Sequence, residues 1–163
     1  QRCPLTRPTD VPVAREQVLA LAEIELFKGR KTETLVELEA CMESRSYKAG
    51  EKIFRGGDTG DELFIIRRGA VSILLPLDGN RTHHLGTFGR GAFFGEMGFL
   101  DGAPRSADAV AFADTELFVL SRKTFERFAE DHKKLALNLM EGLASVLSSR
   151  LRYTNAELSA LES

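Results

Sequence analysis

Two side chains stand out for the chemistry they could do together. Glu96 opens a short helical turn behind Gly95, and Arg105 follows in the same segment. That segment runs from Gly91 to Ala107 as Gly-Ala-Phe-Phe-Gly-Glu-Met-Gly-Phe-Leu-Asp-Gly-Ala-Pro-Arg-Ser-Ala. The first turn of a helix leaves backbone N–H groups unpaired and carries a partial positive charge. Gly95 lets an anion approach that backbone, because no Cβ stands in the way. The guanidinium of Arg105 adds a permanent charge and a planar donor fork suited to phosphate oxygens. The carboxylate of Glu96 can accept from a sugar hydroxyl. A ribose phosphate answers all of these groups at once.

Other residues offer less. His83 and His84 are adjacent, so on a strand they point to opposite faces and cannot share a site. His132 is the only other histidine. A metal-dependent cupin-like enzyme, which needs several convergent ligands, is therefore the runner-up reading, and no metal is expected. Gly89-Arg90-Gly91 lacks the Gly-Lys-Ser/Thr of a phosphate loop and the spacing of a dinucleotide fingerprint. Cys3 and Cys41 read as two reduced thiols. The 22 basic and 24 acidic residues leave a net charge of −2. That is a poor surface for neutralising nucleic acid, which is not expected as a partner. No apolar run approaches the ~18 residues that span a bilayer, so a cytoplasmic location is expected. The start, rich in proline and without an initiator Met, reads as a linker or an arbitrary cut, and a fragment of a longer protein is expected.

The elements around the Gly91–Ala107 segment follow from periodicity. Val18, Leu21, Ala22 and Leu26 recur at helical steps from Val13 onward. A second helix is expected with Thr32 as its cap and Leu35, Leu38, Cys41 and Met42 on its apolar face. From Ser46 to Ser121 the texture is short strands broken by glycine turns. Residues 47–54 read as a strand pair around a turn. Residues 62–68 form a strong strand, 70–75 resume it after Gly69, and Asp78-Gly79-Asn80 is a hairpin signal. Residues 83–88, 107–112 and 116–120 complete the set. Helices return at Lys123–Glu130, with Ser121 as cap, and at Lys133 to about Tyr153, where Asn155 is expected to end the helix. The leucine stripe of that last helix, Leu135 to Leu151, drifts around the axis. It is expected to pack its early turns on the strands and to offer later ones to a ligand or a partner.

Phe94-Gly95-Glu96-Met97-Gly98, followed by Pro104-Arg105-Ser106-Ala107, resembles the phosphate-binding cassette of the cyclic-nucleotide-binding family. Tyr47-Lys48-Ala49-Gly50-Glu51, Gly57-Asp58 and Phe64-Ile65-Ile66-Arg67-Arg68-Gly69 resemble that family's first strands and turns. The resemblance implies an α+β fold, an eight-stranded antiparallel β-roll of jelly-roll type flanked by N-terminal and C-terminal helices. It divides the chain into an N-terminal linker and helices (1–44), a roll (45–121) with its cassette at 93–107, and C-terminal helices (122–163). It implies a cyclic nucleotide as ligand, held by Phe94, Gly95, Glu96, Met97, Gly98, Arg105, Ser106 and Ala107. Ser106 can serve either base, and cyclic AMP is expected over cyclic GMP because no second polar partner for the base is evident. Glu96 would take the ribose 2′-hydroxyl and Arg105 the cyclic phosphate. Backbone donors of Gly95, Ser106 and Ala107 and the Ser106 hydroxyl would complete the cradle. Asp108 stands where the family often has Thr or Ser, and strand alternation directs it outward. The implied role is regulatory and not catalytic, with a covalently linked effector outside this chain. A sulfate-permease-type transporter or a glutaminase would fit, as would a homodimer through the C-terminal helix. A roll that has lost its ligand is the other alternative.

Overall fold

The computed structural model describes Phe27 and residues 32–162, so the helix expected from Val13 lies outside the described residues. Helix α1 (Thr32–Cys41) leads into strands β1 (Glu43–Tyr47), β2 (Lys52–Phe54), β3 (Glu62–Arg68) and β4 (Val71–Pro76). Strands β5 (Thr82–Phe88) and β6 (Phe93–Phe94) follow, then the short helix α2 (Glu96–Asp101) and strands β7 (Asp108–Ala111) and β8 (Thr115–Ser121). Helices α3 (Arg122–Asp131) and α4 (Lys133–Glu162) close the chain.

The eight strands make two four-stranded antiparallel sheets, ordered β1-β8-β3-β6 and β2-β7-β4-β5. This is the antiparallel β-roll with flanking helices. Alternation along β3 and β8 builds two cores from one sheet. Phe64, Ile66, Leu117 and Val119 point between the sheets, where they meet Val71, Phe94 and Ala109. Leu63, Ile65, Phe118 and Leu120 point the other way. There they are covered by Leu35 and Leu38 of α1, Phe125 and Phe128 of α3, and Leu135, Ala136, Leu139 and Leu143 of α4. The helices are therefore a third layer on one sheet.

Several expectations are corrected. β1 and β2 flank a real turn, in which Glu51 N–H donates to the Lys48 carbonyl at 2.9 Å and Gly50 takes φ 90°. They do not pair with each other: β1 joins β8 and β2 joins β7, so the turn carries the chain from one sheet to the other. Strand β6 was hidden in the glycine-rich segment. Cys41 is exposed, whereas Leu35 and Leu38 carry the buried face of α1. Asn155 does not end α4, which runs on to Glu162. Asp108 is buried and not turned to solvent: its Oδ1 accepts from the Gly56 N–H at 2.8 Å and its Oδ2 pairs with Lys52 at 3.3 Å. It ties the β2–β3 turn to β7. Among the described residues no helix is long and apolar enough to cross a membrane.

Candidate functional site

The site is built on the link between β6 and β7. Phe94 stacks on Phe64 with ring centroids 5.0 Å apart, which seats β6 in the roll interior. The chain then turns at Gly95 (φ 77°), a left-handed conformation that leaves Gly95 as the N-terminal cap of α2. The same residue must be small, because a Cβ would stand 2.9 Å from the Phe64 ring and 3.0 Å from the Glu62 carbonyl. Helix α2 is anchored from below by Phe99, fully buried and edge-on to Phe125 of α3 at 5.4 Å.

Arg105 comes back under this helix. Its backbone is fixed by the β2–β3 turn: Arg105 N–H donates to the Asp58 carbonyl and Gly57 N–H donates to the Arg105 carbonyl, both at 2.8 Å. The residue is 7% exposed, and its guanidinium lies in a cradle of three glycines. A Cβ would approach it to 3.1 Å at Gly60, 3.2 Å at Gly95 and 2.9 Å at Gly98. Phe54 covers one face of the guanidinium at 4.4 Å. Nη1 donates to the Gly95 carbonyl at 3.0 Å and Nη2 to the Glu62 carbonyl at 3.1 Å. Burial pushes its pKa below the ordinary arginine value, while the charges of Glu62, Asp61, Glu96 and Asp58 oppose that shift. None of these carboxylates is within ion-pair distance among the described residues. A buried cation held only by carbonyls and ring faces keeps its charge for an anion.

Glu96 is also buried, at the first position of α2, where the helix dipole favours a negative charge. Its Oε2 accepts from Arg150 Nη1 of α4 at 3.4 Å. Of the other predicted site residues, Gly98 closes the cradle and Ala107 is buried beside the Gly56 turn. Ser106 is exposed at the segment's edge. Phe94 is committed to the interior, and Met97 is 55% exposed on the outer side of α2. The three histidines are not brought together. His83 and His84 are exposed on β5, whereas His132 sits at the end of α3 against Glu37 of α1 at 2.8 Å. Among the described residues, no group of three or more His, Cys, Asp or Glu could hold a metal ion.

Sequence reasoning missed Gly60 and Arg150. Gly60 lies beyond the Gly56-Gly57-Asp58 turn and carries no local signal of its own. Arg150 had a usable signal: it takes the next place after Leu139, Leu143 and Val146, the stripe by which α4 faces the roll.

The profile of the cyclic nucleotide-binding domain matches residues 44–132, which contain both sheets, the cradle and α3. The chain belongs to the cyclic nucleotide-binding domain family. Among this domain's relatives, Glutaminase 1 of Bradyrhizobium diazoefficiens is 41% identical over 88% of this chain and 22% of its own length. The cyclic AMP receptor protein of Thermus thermophilus is 36% identical over 83% of this chain and 61% of its own length. A crystal structure of a cyclic nucleotide-binding domain from Methylobacillus flagellatus superimposes with a TM-score of 0.77 and 27% identity, covering 90% of this chain and 82% of that one. The chain thus spans about a fifth and about three fifths of the two curated relatives.

Proposed function

We propose that this domain captures cyclic AMP in the cradle between α2 and Arg105 and passes the event to a covalently linked effector. It does so as a regulatory module with no catalytic step of its own, working in the cytoplasm. The observation that carries the reading is the guanidinium of Arg105, buried among Gly60, Gly95 and Gly98 and without a carboxylate partner among the described residues. Arg105 takes the cyclic phosphate, Glu96 the ribose 2′-hydroxyl, and the backbone around Gly95, Ser106 and Ala107 supplies further donors. The relay is physical. Phe99 joins α2 to the helical layer, and Arg122 of α3 donates to the Phe99 carbonyl at 3.4 Å, so a shift of the cassette pulls on α3 and α4. The cyclic AMP receptor protein among the relatives favours cyclic AMP. Ser106 carries a hydroxyl that can serve either base, and no second polar partner for a guanine base is evident in the sequence. A fused effector fits a module that makes up a fifth of a glutaminase-named relative. Nucleic acid is left out, given the net charge of −2.

Isothermal titration tests the reading. Arg105→Ala is expected to lose tens- to hundreds-fold in affinity, the cost of about 2–4 kcal/mol for a charged hydrogen bond removed from a desolvated site. Arg105→Lys keeps the charge but loses the fork, and is expected to fall between. Wild-type affinity in both variants moves the site elsewhere. In competition, cyclic GMP binding tenfold tighter than cyclic AMP overturns the choice of base.

A further inference from the structure

Arg150 does something that a packing residue would not. The face of α4 that covers the sheet is apolar at Leu135, Leu139, Leu143 and Val146, and its next position is an arginine. From Leu151 to Leu161 every residue of α4 is exposed, so Arg150 is the last point at which the helix touches the roll. Its guanidinium lies 4.4 Å from the Phe88 ring centroid and 4.8 Å from that of Phe93. Nη2 donates to the Phe93 carbonyl at 3.0 Å, and Nη1 reaches Glu96 Oε2 at 3.4 Å. Burial pushes its pKa below the ordinary arginine value, which only the nearby charge of Glu96 opposes.

We infer that Arg150 is a built-in competitor of the ligand's sugar. It occupies the carboxylate of Glu96, and a ribose hydroxyl must displace it, loosening the last contact that ties α4 to the roll. The inference rests on reading Glu96 as the sugar-binding carboxylate. Its physical basis is that a carboxylate at 11% side-chain exposure has few free acceptor directions. A second donor competes for them, and a long, half-buried ion pair is weak enough to be exchanged. Binding and the freedom of α4 are then two sides of one equilibrium, because whatever breaks the Arg150 contact favours ligand, and ligand breaks the contact.

The test is titration of the whole chain with cyclic AMP and with its 2′-deoxy analogue, using wild type, Arg150→Gln and Arg105→Ala. Arg150→Gln is expected to bind cyclic AMP roughly two- to fivefold more tightly. It should leave the 2′-deoxy analogue unchanged, since that ligand makes no claim on Glu96. Weaker or unchanged cyclic AMP binding overturns the inference, and so does an equal gain for both ligands. If Arg105→Ala binds like wild type, the reading of the site itself fails, an outcome separate from the Arg150 result. If wild type binds nothing and Arg150→Gln binds cyclic AMP, the competitor is confirmed in its strongest form. If no variant binds, both readings fall.

Discussion

At the scale of single residues, the cradle is decided by space as much as by charge. Gly98 lies inside α2, where alanine would ordinarily stabilise a helix by about 1 kcal/mol. Here an added Cβ would sit 2.6 Å from the Gly60 carbonyl and 2.9 Å from Arg105 Nη1. The carbonyl belongs to the β2–β3 loop, which Asp58 and Gly57 bind to the Arg105 backbone, so it cannot yield without moving the arginine. Overpacking of this kind costs roughly 1–3 kcal/mol and outweighs the helix gain. Gly98→Ala is therefore expected to lower the urea midpoint and to weaken nucleotide binding together. A variant as stable as wild type would show the cradle to be roomier than described. The sequence made Arg105, Glu96 and Gly95 legible because Phe94-Gly95-Glu96 and Pro104-Arg105-Ser106-Ala107, each weak alone, stand together at the family's spacing between strands. Gly60 was illegible because its reason for being glycine is a side chain distant in sequence. Asp108 was misread for a similar cause: strand alternation gives direction, but the Gly56 N–H that it satisfies belongs to another strand's turn.

Elements were legible where their ends are written locally. Ser121 Oγ accepts the Thr124 N–H at 3.1 Å and caps α3 as the sequence suggested. Ser121→Ala removes that bond and is expected to cost about 1 kcal/mol, lowering the melting temperature by about 2–4 °C. Thermal unfolding followed by circular dichroism measures it, and an unchanged midpoint would show that α3 is held by Phe125 and Phe128 alone. The hairpin at Asp78–Asn80 was legible for the same reason, with Gly79 at φ 71° and Asn80 at φ 63°. Strand partners were not legible. The pattern of residues 47–54 declares two short strands and a turn, but nothing local says that they enter different sheets. The length of α4 was misjudged because Asn carries only a small helix penalty, which a thirty-residue helix absorbs.

At the scale of the molecule, α4 carries two faces with different destinations. One, ending in Arg150, faces the roll. The other comprises Leu147, Leu151, Thr154, Leu158 and Leu161, spaced alternately by four and three residues, the seam of a two-stranded coiled coil. Leu151, Leu158 and Leu161 are 61%, 54% and 82% exposed, and no other part of the described chain covers them. A second copy of the same helix supplies a matching seam, whereas the roll cannot, since α4 has left it by Leu151. The chain is accordingly expected to dimerise through residues 147–161. Sedimentation equilibrium should give a dimer for the wild type and a monomer for Leu151→Glu combined with Leu158→Glu. The double variant should melt no lower than the wild type at concentrations where the latter is monomeric, because neither leucine contributes to a core. Thr154 weakens the middle of the seam, so the association should depend on concentration in the micromolar range or above. Arg150 precedes Leu151 directly. Freeing it by ligand would let the outer half of α4 reorient, and nucleotide should therefore shift the monomer–dimer balance. A wild-type chain that stays monomeric at high concentration, with and without nucleotide, would leave α4 as a tether to the linked effector and remove the second copy from the mechanism.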